Sequence, residues 1–282
     1  MPAHRGSDPP RDDIESIEMR MLLEAVYQHY GYDFRRYARG SLRRRLWRRA
    51  DAEGVKTISG LQERVLHNPV AMDALLMDLS VNVTAMFRDP TFYLALREKV
   101  VPILRTYPFI RIWNAGCSTG EEVYSVAILL QEEGLLERAR IYATDINERV
   151  LERAHEATIP LDRMQTFTQN YHRGGGTSAF SEYYKADRDQ ARIDRSLLEN
   201  VVFAHHNLVS DRSFNEFHLI ICRNVMIYFD KELQDHVHEL FYESLVNLGI
   251  IALGNKESIR FSSVASRYDE LDAEEKIYRR AE

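Results

Sequence analysis

The sequence predicts an α/β protein: a doubly wound, mostly parallel sheet with a small inserted β-subdomain, preceded by an all-helical N-terminal domain. Three observations lead there. From Ile110 onward, short apolar runs alternate with helical periodicities, the pattern of a sheet whose crossovers are helices. Before Ile110 only helical periodicity occurs. Between Leu161 and Leu198 a stretch rich in Tyr, Gly, Arg and Asp, with Gly174-Gly175-Gly176 at its middle, is too long for a plain connection in a compact domain.

The elements follow in order. Met1–Asp13 has Pro, Gly, Ser and charge but no apolar stretch, so it reads as a disordered tail and not as a signal peptide. Residues 14–81 form the helical domain. Ile14, Ile17, Met21 and Ala25 mark the buried face of its first helix. An arginine-rich helix follows, then helical patterns at Ile58–Leu66 and Val70–Leu79. Residues 82–109 hold a linker, Asn82–Arg88 (NVTAMFR), and a connecting helix that Asp89-Pro90 opens as N-cap and first-turn proline. Residues 110–282 form the sheet domain, with strands at Ile110–Trp113, Arg140–Thr144, Asn200–Ala204, Phe217–Cys222, Ile250–Leu253 and near Lys276–Arg279. Residues 161–198 form the inserted subdomain, expected to be a small antiparallel sheet.

The loop after the first strand carries the most chemistry. Ile110–Trp113 (IRIW) runs into NAGCSTGEEVYS, a strand, a glycine loop and a helix start, which is how an open α/β sheet presents a nucleoside. Gly116 and Gly120 supply neither GxGxxG spacing nor a phosphate-loop lysine. Glu121 and Glu122 stand where a pyrophosphate would sit, so the ligand should carry positive charge. S-adenosylmethionine, with a sulfonium and an ammonium, meets that demand. Ser118 and Glu121 have capping-box spacing, which assigns Glu121 to the helix start and leaves Glu122 as the ligand candidate. Asp145 ends the second strand where an acid can accept from ribose hydroxyls, or else cap the helix at Glu148. Arg223, Asn224 and Tyr228 follow the apolar strand FHLII, and Asn207-Leu208 follow VVFAHH, so both groups lie beyond carboxyl ends of strands, where such sheets bind ligands.

Bulk properties set the remaining bounds. At 282 residues, 45% of them hydrophobic, the chain can bury one large core or a large and a small one. No apolar run approaches the ~18–20 residues that span a bilayer. Cys117 and Cys222 are too few for a disulfide framework and suit a reducing cytoplasm. The net charge of −6 speaks against general nucleic-acid binding, yet five arginines crowd positions 43–49. On a helix, Leu42, Leu46 and Ala50 share one face and Arg44, Arg45 and Arg48 the opposite one, a docking surface for an acidic helix or a nucleic-acid backbone.

NVTAMFR, AGCSTGEE, the Asn-Leu of HHNL and CRNVMIYFD, in this order, resemble the CheR family of chemotaxis receptor methyltransferases, from about Ile17 to Arg280. The resemblance implies a fold of the class I methyltransferase type and S-adenosylmethionine-dependent methylation of protein glutamate side chains, without a metal. It implies cofactor contacts from Asn82, Thr84, Arg88, Gly116, Glu122, Asp145, Asn207, Leu208, Arg223 and Asn224, with Arg88 and Tyr228 near the transferred methyl group. It also implies a cytoplasmic monomer whose basic helix, through Arg44, Arg45 and Arg48, lies against the helices of a chemoreceptor or receptor-like signalling protein. Two departures are visible: Val123 replaces the usual proline after the second glutamate, and Gly254-Asn255-Lys256-Glu257 replaces GHSE, keeping the glycine and the acid. A nucleic-acid methyltransferase and a non-catalytic cofactor-binding scaffold are the rival readings. The acidic net charge opposes the first, and retention of both Arg88 and Tyr228 opposes the second.

Overall fold

The computed structural model describes residues 13–80 and 83–281. The predicted tail up to residue 12, and Asn82, lie outside the described residues. The chain divides into two compact units between Leu79 and Ser80.

The first unit contains helices α1 (Ile14–Tyr30), α2 (Arg39–Ala52), α3 (Ile58–His67) and α4 (Pro69–Leu79). Asp13, read above as tail, is the N-cap of α1, its Oδ1 accepting from the Ser16 amide at 2.7 Å. The buried face of α1 also differs from the expectation. Met19, Leu22, Leu23 and Val26 are buried, while Ile14, Ile17 and Met21 are exposed. The winning stripe has the full i, i+3, i+4, i+7 spacing and so covers a wider apolar arc. On α2, Leu42, Leu46 and Ala50 enter the core with Phe34, Leu61 and Leu75.

The arginine surface is more neutralised than its sequence suggests. Arg35 pairs with Asp33 and Glu24, Arg43 with Glu15, and Arg49 with Asp78 and Glu53. Arg45 leaves the predicted docking set: it is half-buried and its Nη1 donates to the Leu79 carbonyl at 2.6 Å, satisfying the end of α4. Arg44 and Arg48 are exposed, with Arg39 on the same helix.

The second unit opens with α5 (Pro90–Ala95), a π-turn at Leu96–Val100 and α6 (Val101–Leu104). It continues as β1 (Ile110–Ala115), α7 (Glu121–Glu132), β2 (Ala139–Asp145) and α8 (Glu148–Glu156). The insertion follows: β3 (Thr158–Pro160), α9 (Met164–Arg173), β4 (Tyr184–Asp187) and β5 (Gln190–Ile193). The chain then returns through β6 (Val201–His205), β7 (Phe217–Cys222), α10 (Lys231–Ser244), β8 (Leu245–Leu253), β9 (Tyr268–Asp272) and β10 (Ile277–Arg280).

Seven strands form one sheet in the order β6-β2-β1-β7-β8-β10-β9. The first five are parallel, and β10 runs antiparallel to both β8 and β9. Strand β7 is buried along its whole length, as a central strand covered on both faces requires. The fold is therefore a doubly wound, mostly parallel sheet. The edge strand β9 (YDELD) went unread because it is polar and only partly buried, with no apolar alternation to mark it. In the insertion, β3, β5 and β4 form a three-stranded antiparallel sheet, and its first strand precedes residue 161. Helix α9, which the sequence reading lacks, packs Phe167 and Tyr171 into the core, where Tyr171 meets Phe87 and Phe180.

Candidate active site

The carboxyl end of β1 is fixed by packing before any polar group is placed. Trp113 is fully buried among Phe217 and Phe241, and its Nε1 donates to Thr144 Oγ1 at 2.8 Å. The next turn needs glycine. Gly116 has φ 76°, and a Cβ there would sit 2.4 Å from Val225 Cγ2, so this loop and the one after β7 touch. The Gly116 and Cys117 amides both donate to the Thr144 carbonyl, tying the tips of β1 and β2 together.

The predicted capping box does not form. Gly120 is the N-cap of α7, and the Ser118 amide donates to Asp145 Oδ2 at 2.9 Å instead. Glu121 is buried and accepts from Thr119 Oγ1 and Arg163 Nη1. Asp145 does not cap α8 either, since Asn147 holds that place, its side chain accepting from the Arg149 amide. The second Asp145 oxygen accepts from the Asn147 amide at 3.0 Å. Burial pushes the Asp145 carboxyl above the usual range, opposed by the amides of Asn147 and Ser118.

At the centre stands Arg223, its side chain only 1% exposed. Its Nη1 donates to Glu122 Oε2 and its Nη2 to Asp89 Oδ2, each at 2.8 Å, and the guanidinium lies 4.0 Å from the centre of the Phe92 ring. Both terminal nitrogens also approach the Arg88 carbonyl at 3.4 Å. Burial opposes the charge, but Glu122, Tyr93 and Asp89 hold its proton more tightly than usual. Asp89, assigned from sequence to a helix cap, is thus a partner of Arg223. It sits at the start of α5 with φ 56° and makes no side-chain cap. Glu122 accepts from Asn114 Nδ2 as well, at 2.9 Å, so β1, α7 and the loop after β7 meet at this carboxylate, while Arg223 carries the connection on to Asp89.

The remaining predicted residues line the same edge of the sheet. The His206 amide donates to the Asp145 carbonyl, which brings the buried Asn207 and Leu208 beside the tip of β2. Asn224 has φ 62°, and its amide donates to Glu257 Oε2. Arg88 is half-buried, with Nη1 on the Val83 carbonyl at 3.0 Å. Tyr228 closes the short 3-10 turn Met226–Tyr228 and is half-buried. The Thr84 carbonyl accepts from Arg163 Nη2 and the Met86 carbonyl from Asn170 Nδ2, so the insertion braces the linker. Sequence reasoning did not reach Asn114 or Arg163, and it noted Glu257 only as the acid kept in the 254–257 segment, without a role. Arg163 and Glu257 act through partners more than thirty positions away, which no local spacing reports.

The chain matches the family described as CheR methyltransferase, SAM binding domain, over residues 82–276, and CheR methyltransferase, all-alpha domain, over residues 17–80. The chain belongs to the CheR methyltransferase family. A Pseudomonas putida protein named "Putative methyltransferase Cher3" is 49% identical over 265 residues, covering 94% of this chain and 97% of that one. The chemotaxis protein methyltransferase of Salmonella typhimurium is 30% identical over 269 residues, covering 90% and 88%. That of Listeria innocua is 34% identical over 194 residues, covering 66% and 71%. The protein is accordingly an S-adenosylmethionine-dependent methyltransferase of the chemotaxis type, and its sheet is that of a class I methyltransferase.

The residues present fit that cofactor. Arg223 is matched by two carboxylates, which leaves its Nε–H without a partner but no unneutralised buried cation for a phosphate among the described residues. Asn114 Oδ1 is a buried acceptor with no hydrogen-bond partner among the described residues, and Asp145 adds a buried carboxylate beside it at the strand tips. Such a set favours hydroxyl and ammonium donors. Among the described residues no cluster of three or more His, Cys, Asp or Glu could hold a metal ion, and no helix is long and apolar enough to cross a membrane.

Proposed function

We propose that this protein methylates glutamate side chains on the cytoplasmic helices of a chemoreceptor or receptor-like signalling protein, giving methyl esters. The observation that carries the reading is the charge balance of the site. Both terminal nitrogens of Arg223 are taken by Glu122 and Asp89, while Arg88, half-exposed in the linker whose carbonyl Arg223 approaches, would serve as the cation for an anionic acceptor. S-adenosylmethionine, when bound, would supply an electrophilic methyl carbon to the acceptor carboxylate, with S-adenosylhomocysteine as the other product.

A glutamate, with a reference pKa of about 4.3, is already an anion at neutral pH and needs no general base. What this chain must supply is alignment and exclusion of water, and alignment of this kind is worth roughly 7–11 kcal/mol. Asn82, Thr84, Gly116, Glu122, Asp145, Asn207, Leu208, Arg223 and Asn224 would hold the cofactor. Arg88 would orient the acceptor carboxylate, with the Tyr228 hydroxyl donating to it.

The deciding experiment is transfer of labelled methyl to receptor-containing membranes. Label released as methanol by mild base is the expected result. Base-stable label on protein, or label in RNA, would overturn the assignment.

Arg44 and Arg48 support an acidic docking partner, since both are exposed on α2 and pair with no carboxylate among the described residues. Reversing both charges (Arg44→Glu with Arg48→Glu) is expected to raise KM for receptor membranes about tenfold and to flatten its salt dependence, leaving kcat within about twofold. An unchanged KM in a folded variant would remove docking from this helix.

A further inference from the structure

The loop after β7 is held by Glu257, the acid kept in the 254–257 segment and given no role by the resemblance. Glu257 is only 5% exposed and lies in the segment following β8. Its Oε1 accepts from the amides of Val225 (2.9 Å) and Met226 (2.8 Å), and its Oε2 from those of Asn224 (2.9 Å) and Gly254 (2.7 Å). One buried carboxylate thus gathers four main-chain N–H groups. Three of them are consecutive and lie more than thirty positions away in the chain.

The backbone explains the convergence. Asn224 is left-handed, with φ 62°, and Val225 returns to the right-handed region, so successive amides point into one concavity. Such a nest binds an anion, and here the chain provides its own. Asparagine adopts left-handed backbone more readily than other non-glycine residues, so the turn is locally accessible and the carboxylate fixes it in place. Gly254 is part of the device. A Cβ there would lie 2.7 Å from Glu257 Oε2 and 2.9 Å from the Asn224 nitrogen, which leaves room only for glycine.

The clamp itself stands on a rigid support. Farther along the same segment, the Ser263 amide donates to Asp235 Oδ1 at 2.6 Å and Ser263 Oγ to Glu239 Oε1 at 2.9 Å, which fastens the segment to α10. On the other side of the clamped turn lie Arg223, immediately before Asn224, and Tyr228, two residues after Met226. Fixing the backbone of Asn224–Met226 therefore fixes the aim of both.

We propose that Glu257 is the positioning residue of the active site: its carboxylate shapes the turn that carries Arg223, Asn224 and Tyr228 without itself touching cofactor or acceptor. The proposal rests on the reading that those three residues serve cofactor and methyl transfer. Glu257→Gln is the informative variant, because it keeps the size of the side chain yet turns an NH2 group toward two of the four amides.

The test pairs hydrogen exchange on the full chain with calorimetric binding of S-adenosylhomocysteine. In Glu257→Gln, exchange at residues 224–226 is expected to accelerate about tenfold or more while β1 amides keep their wild-type rates. Affinity for S-adenosylhomocysteine should fall about tenfold or more, and kcat should fall with it. A folded variant with wild-type exchange at 224–226, or with affinity within about twofold of wild type, overturns the proposal. Should the variant not fold, the wild-type protein decides: these three amides must exchange about a hundredfold more slowly than free loop amides, and unprotected amides overturn it. Wild-type protein that binds no S-adenosylhomocysteine overturns the cofactor reading instead, and that failure is visible before any variant is made.

Discussion

Replacing Arg223 by methionine is expected to lower the unfolding free energy by about 3–5 kcal/mol, the cost of removing one partner from a buried ion pair. Methionine keeps much of the packing against Phe92, so little of that loss comes from an empty volume. The loss comes from Glu122, which keeps its bond from Asn114 but forfeits the Arg223 hydrogen bond in a site where its side chain is 16% exposed. Asp89 suffers less, since at 35% exposure it can turn to water. Adding Glu122→Gln to the methionine variant should therefore recover a sizeable part of the stability, the non-additivity expected of contacting residues. Urea unfolding of the two single variants and the double variant measures this directly. A methionine variant within about 1 kcal/mol of wild type would mean that solvent reaches the trio and that Arg223 is not structural.

The same trio shows where the sequence stopped being readable. Strands β1 and β7 announce themselves as IRIW and FHLII because a covered parallel strand must be apolar throughout, and the glycine loop after β1 is set by local sterics at Gly116. These are local constraints, and local spacing reports them. The pairing of Arg223 with Glu122 spans 101 residues and that with Asp89 spans 134. No periodicity encodes either, so Asp89 took the nearest local explanation, a cap ahead of Pro90. Glu121 was misread for the same reason: its spacing from Ser118 allows a capping box, but Asp145 captures the Ser118 amide and Arg163 captures Glu121. Helix α1 failed differently. Its sequence holds apolar residues on two faces, and only the complete stripe of Met19, Leu22, Leu23 and Val26 could meet the core. The arginine helix gave its buried face correctly, because Leu42, Leu46 and Ala50 are the only apolar residues on that side, while Arg45's tie to Leu79 depends on how α4 ends.

Removing the Arg88 side chain should separate chemistry from folding. Arg88→Ala is expected to cut methyl transfer about a hundredfold or more, the scale at which a preorganised charge acts on the reacting centre, while changing stability little. The backbone around it is held independently of its guanidinium. The Phe87 amide donates to Ser125 Oγ at 2.9 Å, Phe87 is buried against Tyr93 and Tyr171, and the Met86 and Thr84 carbonyls are braced by Asn170 and Arg163. Among the described residues the side chain makes one hydrogen bond, to the Val83 carbonyl, and it is half-exposed. Alanine therefore costs the fold about 1 kcal/mol or less, the net value of an ordinary hydrogen bond. Arg88→Lys should fall between the two, since it keeps the charge but not the planar fork that grips a carboxylate at two points. The measurement is kcat with receptor membranes beside a thermal melt. If Arg88→Ala melts like wild type and keeps kcat within about threefold, Arg88 does not orient the acceptor. Alignment would then fall to Tyr228 on its 3-10 turn, and Tyr228→Phe would become the variant expected to lose the reaction.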